Sequence, residues 1–420
     1  MSHRHDIGFS KLLAIDDALR KFFSYKVLNR VPEERVPIIS SIDRILASKL
    51  ISQTDLPPYD RSAVDGFALK ADDTSSCSKD NPVLLTIVDV VEIGTTPKVP
   101  VGKLEAVRIS TGAPTSEGSD AVVMIEHAER QNGKVKIFNP ISAGKNVIRK
   151  GEDVRVGEVL LDEGSKIMPQ DVGMFSALSF RSIKVVRKPR VAILSVGDEL
   201  LEAGSQQVYG KTVDINRPAL ISTLLQDGCE PVDLGIVKDD FDIVKERVLK
   251  GMSSNDMLLI GGGTSVGTKD IVPEVIDSLG EPGIVAHGLA MRPGKPTGLA
   301  IVNKKPIILV PGYPVAALIA YGTFAKPIIG KFLGSESVRN RGDIVQATLT
   351  EKLDSSLGIR EYVRVVVVGK QEGFSAKPIT ASGAAILSSM VKTNGVLTVP
   401  EGVESIMQNE QVEIRLIRPL

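Results

Sequence analysis

The chain has 420 residues, enough for about three or four domains, with an ordinary globular balance of 42% hydrophobic and 24% charged residues. Lys plus Arg and Asp plus Glu number 51 each, so bulk charge argues against a nucleic-acid partner or a membrane surface. Trp is absent and aromatics make 4%, which argues against stacking on bases.

Two cysteines, Cys77 and Cys229, with no CxxC, give no support to structural zinc and predict free thiols in a reducing cytoplasm. The start, MSHRHDIGFSKLL, carries no signal-peptide h-region, and no run approaches the roughly 18 apolar residues of a membrane span.

In chain order, SKLLAIDDALRKFFSYKVLN (10–29) has apolar residues at helical spacing, with Ser10 a candidate N-cap. A second helix is predicted through SSIDRILASKLI, with Pro37 just ahead of it. From 51 to 147 the runs VLLTIVDVVEIG, EAVRIST, AVVMIEHAER and KVKIFNPI, with turns such as QNGK, predict an inserted β-rich domain. Residues 148–186 are too few to stand alone and are expected to join 1–50 in a discontinuous helical/β domain.

Residues 187–334 alternate apolar strands (RVAILSV, PVDLGIV, DMLLI, GLAIVN, PIILV) with amphipathic helices. That pattern is expected of a doubly wound, mostly parallel sheet covered on both faces. Residues 335–420 return to short strands, a small C-terminal β-barrel or sandwich.

Such sheets bind ligands outside the carboxyl ends of their strands. DMLLI runs into Gly261-Gly262-Gly263 and on through Ser265 to Asp270 before IVPEVIDSL. Glycines let the backbone curl, and free N–H groups at a helix start favour phosphate. The spacing fits neither a P-loop nor a dinucleotide fingerprint.

RVAILSV runs into Gly197-Asp198-Glu199, PVDLGIV into Lys238-Asp239-Asp240, and PIILV into Pro311-Gly312-Tyr313-Pro314. Glu199, Asp239, Asp240 and Asp270 on one edge would repel without a cation, and all-oxygen ligation points to Mg²⁺. The plainer alternative is that each acid caps its helix. Met291-Arg292-Pro293-Gly294-Lys295-Pro296 is a stiff loop that presents two cations. Asp60-Arg61-Ser62-Ala63-Val64-Asp65-Gly66 reads as a charged turn in which Arg61 could pair with Asp60. No Ser or Cys nucleophile constellation is present, so metal-assisted transfer on a phosphorylated ligand is favoured over covalent catalysis.

Nine segments in order make a specific resemblance: PPYDRSAVDGFAL, RISTGAPTSEGSDAVVMIE, NVIRKGEDVRVGEVLL, RVAILSVGDEL, VDINRPAL, LGIVKDD, GGGTSVGTKD, MRPGKP and VPGYPV. Together they resemble the molybdopterin molybdenumtransferases, the MoeA family, related to the E domain of gephyrin. The resemblance implies that molybdate, or tungstate, is placed on adenylylated molybdopterin with release of AMP, assisted by Mg²⁺, in a cytoplasmic homodimer.

Matched motif by motif, Asp65, Glu199, Asp239 and Asp270 take catalytic positions, with Glu199, Asp239 and Asp270 holding the metal. The substrate would meet Thr111, Asp153, Gly261, Gly262, Gly263, Ser265, Arg292, Lys295, Pro311 and Pro314. Asp65, Thr111 and Asp153 would reach the other acids across the dimer interface. Departures are Tyr313 and Ala316 in the proline loop, Gly261 where Ser is common, and Arg292 where Lys is common. The rival readings are a molybdopterin adenylyltransferase, which would consume ATP, and a gephyrin-like scaffold that binds a peptide.

Overall fold

A computed structural model describes residues 12–263, 271–335, 343–371, 373–379 and 383–420. Its centre is a six-stranded sheet. The strands run in the order Glu230–Val237, Arg190–Val196, Met257–Gly261, Lys305–Val310, Gly298–Val302, Gly283–His287. The first four are mutually parallel, Gly298–Val302 runs opposite to them, and Gly283–His287 pairs antiparallel with Gly298–Val302. The edge strand Gly283–His287 is an element that periodicity did not predict.

Alternate residues of each parallel strand enter opposite cores, which is why these strands read as unbroken apolar runs. Val191, Ile193, Leu259 and Ile308 pack with the helices Asn216–Gln226 and Pro314–Leu333. Ala192, Leu194, Leu258, Ile260 and Ile307 pack with the helices Phe241–Ser254 and Ile271–Ser278 on the other face. The helix Pro314–Leu333 is the one described helix apolar and long enough to cross a membrane. It is 67% buried and passes through a π-helical segment at Tyr321–Ala325, so its apolar surface faces the protein core.

The N-terminal region departs from expectation twice. The first helix covers Ile15–Ser24 and is preceded by Ala14; the expected cap, Ser10, lies outside the described residues. Its buried face, Ile15, Ala18 and Phe22, belongs to the sheet's own core, and Leu13 forms a bridge with Leu289. The second predicted helix is absent. Ile38–Ser41 forms one 3-10 turn, Asp43 adopts φ 61°, and Ile45 and Leu46 bridge to Lys166 and Val185. Those backbone partners take the hydrogen bonds that a helix would have made within itself.

Three short antiparallel ladders then run the outgoing chain beside the returning one: Glu33–Pro37 with Ser182–Val186, Leu50–Ile51 with Val159–Leu161, and Arg61–Ser62 with Val147–Ile148. Between them lies a six-stranded sheet in the order Ala121–Met124, Gly66–Leu69, Glu105–Ile109, Val83–Val91, Lys134–Ile137, Ala128–Gln131. Its last hairpin turns on Asn132 and Gly133, both at positive φ (47° and 75°), the turn that an Asn-Gly pair favours.

The C-terminal strands Ile344–Leu349, Arg360–Lys370, Gly373–Pro378, Gly395–Val399 and Gln411–Leu416 close into a five-stranded barrel. Met291–Arg292, from the sheet region, pairs in parallel with Arg360–Glu361 at the barrel's start.

Candidate functional site

Because four neighbouring strands are parallel, their carboxyl ends share one edge. The loops after Val196, Val237, Gly261 and Val310 therefore meet at one rim. Glu199 folds its carboxylate back over Gly197, where an added Cβ would lie 2.7 Å from Oε2. Asp198 N–H donates to Asp239 Oδ2 at 3.0 Å, joining the first two loops. Gly263 stands beside them, its Cβ position 3.8 Å from Asp239 Oδ1. The structure thus brings Glu199, Asp239 and the glycine loop together.

Asp240 is different. It caps the helix Phe241–Ser254 by accepting from Ile243 N–H at 3.0 Å. Ser265 and Asp270 lie outside the described residues.

Two of the three glycines are required, and the third is not. Gly262, at φ 84°, has its Cβ position 2.0 Å from the Val196 carbonyl oxygen, so no side chain fits. Gly263 combines φ 58° with a contact of 2.8 Å to Val272. At Gly261 a Cβ would meet Val310 at an ordinary 3.6 Å, so Ser is sterically permissible there.

Among the described residues no group of three or more His, Cys, Asp or Glu side chains forms a metal cluster. The pair Glu199 and Asp239 still fits Mg²⁺ in kind. Both are hard oxygen donors, Glu199 exposed and Asp239 half-buried, on neighbouring loops joined by the Asp198 N–H, and Mg²⁺ binds through one or two carboxylates plus phosphate and water.

The proline loop and the basic loop line a cavity whose lining, among the described residues, does not include Glu199, Asp239 or the glycines 261–263. Pro314 opens the helix Pro314–Ala320 at its first position, where a missing N–H costs nothing. Arg292, Lys295, Pro311, Tyr313 and Ala316 line this cavity of about 800 Å³ together with barrel residues including Glu361 and Arg364. The basic loop is internally braced: Leu289 N–H donates to the Lys295 carbonyl at 2.8 Å, and Thr297 Oγ1 to the Gly294 carbonyl at 2.6 Å.

Asp65, Thr111 and Asp153 are all exposed; the structure joins Asp65 to Thr111 on the inserted sheet and holds Asp153 separately on the return path. Thr111 N–H donates to Asp65 Oδ1 at 2.8 Å, and Asp153 N–H to the Leu56 carbonyl at 3.0 Å. Among the described residues, no hydrogen bond or ion pair joins these three to Glu199 or Asp239 within one chain. Asp60 does not pair with Arg61. It accepts from Arg149 Nη1 and Lys150 N–H, both at 2.7 Å. Burial pushes the Asp60 carboxyl up, but these two donors hold it below the usual carboxylate range.

Sequence reasoning missed three supporting residues. Buried Asn216 donates from Nδ2 to the Gly312 carbonyl at 2.7 Å and so holds the proline loop. Its neighbour Arg217, also buried, binds Asp214 at 3.0 Å and Asp233 at 2.6 Å, and reaches Glu202. Burial opposes the Arg217 charge, but the acids outweigh it and raise its pKa. Glu361 accepts from Arg292 Nη1 at 2.9 Å. The segment VDINRPAL carried a signal for the first two, an Asn-Arg pair opening an apolar helix; nothing local pointed to Glu361.

Comparison with known proteins covers the chain almost end to end. Residues 13–179 match the MoeA N-terminal region (domain I and II), 192–331 a probable molybdopterin binding domain, and 346–417 the MoeA C-terminal region (domain IV). A putative molybdopterin biosynthesis protein of Methanocaldococcus jannaschii is 33% identical, covering 92% of each chain. The molybdopterin molybdenumtransferase of Bacillus subtilis is 31% identical over 97% of this chain and 94% of its own. The crystal structure of a molybdopterin biosynthesis MoeA protein from Pyrococcus horikoshii superposes with a TM-score of 0.81 at 31% identity, covering 97% of this chain and 100% of that one. With the strand order, the glycine loop and the five-stranded barrel all in place, the chain belongs to the MoeA family of molybdopterin molybdenumtransferases.

Proposed function

We propose that this protein catalyses the last step of molybdenum cofactor synthesis. Adenylylated molybdopterin and molybdate, or tungstate, are its substrates, and metallated cofactor and AMP are its products. The observation that carries the reading is the convergence of Glu199, Asp239 and Gly263 at the carboxyl rim of the parallel strands. A diphosphate linkage fits there between acids able to hold a cation and a backbone unable to carry side chains.

Glu199 and Asp239, with Asp270, would hold Mg²⁺, which when bound draws charge from the bridging phosphate oxygens. The glycine loop offers N–H donors to the phosphate. Gly262 lies against the Val196 carbonyl, which fixes where the loop begins, and donors held in place favour developing charge. Arg292 and Lys295 supply positive charge from the braced loop, Pro311 lines the cavity, and Pro314 opens the helix that follows it.

Asp65 and Thr111 lie on the inserted unit and Asp153 on the returning stretch that follows it, and a homodimer would set them opposite the partner's rim. The units themselves are 1–50 with 148–186, 51–147, 187–334 and 335–420, with the helix Ile15–Ser24 docked on the sheet. Two free, buried cysteines accord with a cytoplasmic setting.

The test is to incubate the purified chain with adenylylated molybdopterin, Mg²⁺ and each oxyanion in turn. AMP and metallated cofactor should rise together. No AMP with either oxyanion, or ATP consumption with unadenylylated molybdopterin, would overturn the assignment.

A further inference from the structure

We propose that Glu361 of the C-terminal barrel is a positioning residue for the basic loop, so that the barrel belongs to the substrate site. The inference rests on the function proposed above. The Glu361 side chain is 11% exposed, whereas the Arg292 side chain is 61% exposed. One carboxylate oxygen of Glu361 accepts from both Arg292 Nη1 at 2.9 Å and Ser356 N–H at 3.1 Å. The buried acid is therefore held by its own unit and grips the exposed cation at one nitrogen, leaving most of the guanidinium facing solvent.

The backbone repeats the join. Met291–Arg292 pairs with Arg360–Glu361, and Arg360 N–H donates to the Ala290 carbonyl at 2.9 Å. Arg360 binds Asp16 and Glu401, both at 2.9 Å, so this seam ties the first helix, the basic loop and the barrel together.

A long Arg side chain loses rotamer freedom when it grips an anion. Tethering it beforehand removes part of that cost from binding. Charge alone predicts the opposite effect of removing Glu361, because an acid near an anion site repels the anion. The sign of the change therefore separates orientation from neutralisation.

The experiment uses the full chain with Glu361→Gln, Glu361→Asp, Arg292→Ala and the Arg292→Ala/Glu361→Gln double variant. Affinities for molybdate alone and AMP alone are measured by calorimetry, and KM and kcat are measured with adenylylated molybdopterin. Glu361→Gln should weaken the anion that the basic loop meets by about 5-fold and raise KM similarly, with kcat at saturation held within about two-fold. Glu361→Asp should recover part of the loss. The double variant should be no weaker than Arg292→Ala, since the two residues act as one unit.

Unchanged or tightened binding in Glu361→Gln would overturn the proposal, as would a loss that adds to that of Arg292→Ala. A fall in kcat and melting temperature with KM unchanged would overturn it too, marking Glu361 as a barrel anchor. Failure to bind either anion by the unaltered protein would leave Arg292 nothing to meet and would also defeat it. The calorimetry needs no turnover, so failure of the reaction assignment is read separately, from absent AMP release by the unaltered protein.

Discussion

Asp239 shows how one side chain serves two ends. Its Oδ2 receives the Asp198 N–H, fixing the neighbouring loop, while its charge is available to a cation. Asn keeps an acceptor for that N–H and loses the charge. Asp239→Asn should therefore lower AMP release by about 100-fold or more with little change in melting temperature. An equal fall in stability would show that the loop, not the charge, was lost.

The glycine loop gives a paired prediction from steric facts. Gly262→Ala forces a Cβ onto the Val196 carbonyl, at 2.0 Å, and should cost about 2–4 kcal/mol in urea unfolding. Gly261→Ser meets Val310 at 3.6 Å and the Leu194 carbonyl oxygen at 4.0 Å, both ordinary contacts, and should change stability by under about 1 kcal/mol. Equal costs would refute the geometry.

Arg217 welds the helix Asn216–Gln226 to the strand Glu230–Val237 through Asp233. Burial raises the Asp233 carboxyl, but Arg217 and the Gly235 N–H more than offset it, so its folded pKa lies below the unfolded value. A depressed carboxylate contributes stability that is fully present above the unfolded pKa of about 4 and is lost as pH falls through the folded one. The melting temperature should therefore drop on acidification below about pH 4, and Asp233→Asn should flatten that part of the curve. An unaltered acid limb in the variant would mean that other carboxylates control it.

At the same scale, the missing second helix shows the limit of periodicity. Its apolar residues recur at helical spacing, yet Leu46 and Ile45 find strand partners at Val185 and Lys166. Tertiary pairing overrode local preference.

In the whole molecule, the two acidic groups sit on different units, with no hydrogen bond or ion pair between them in one chain among the described residues. If each site combines one protomer's rim with its partner's Asp65 loop, mixing Asp65→Asn with Asp239→Asn protomers regenerates one intact site in each mixed dimer. Random exchange makes half the dimers mixed, so about a quarter of normal turnover should return. Sites built within one chain would give none.

The sequence by itself determined the alternation of buried strands and helices, the four loops at one rim, and the order of motifs that marks the family. All of these follow from spacing along a few residues, which sets the side-chain direction in a strand or helix. Only the tertiary structure decided that Asn216 holds the proline loop, that Asp60 turns to Arg149, and that Glu361 reaches Arg292. The last two pairs are 89 and 69 positions apart, and such contacts depend on how separate units pack, about which local pattern carries no information.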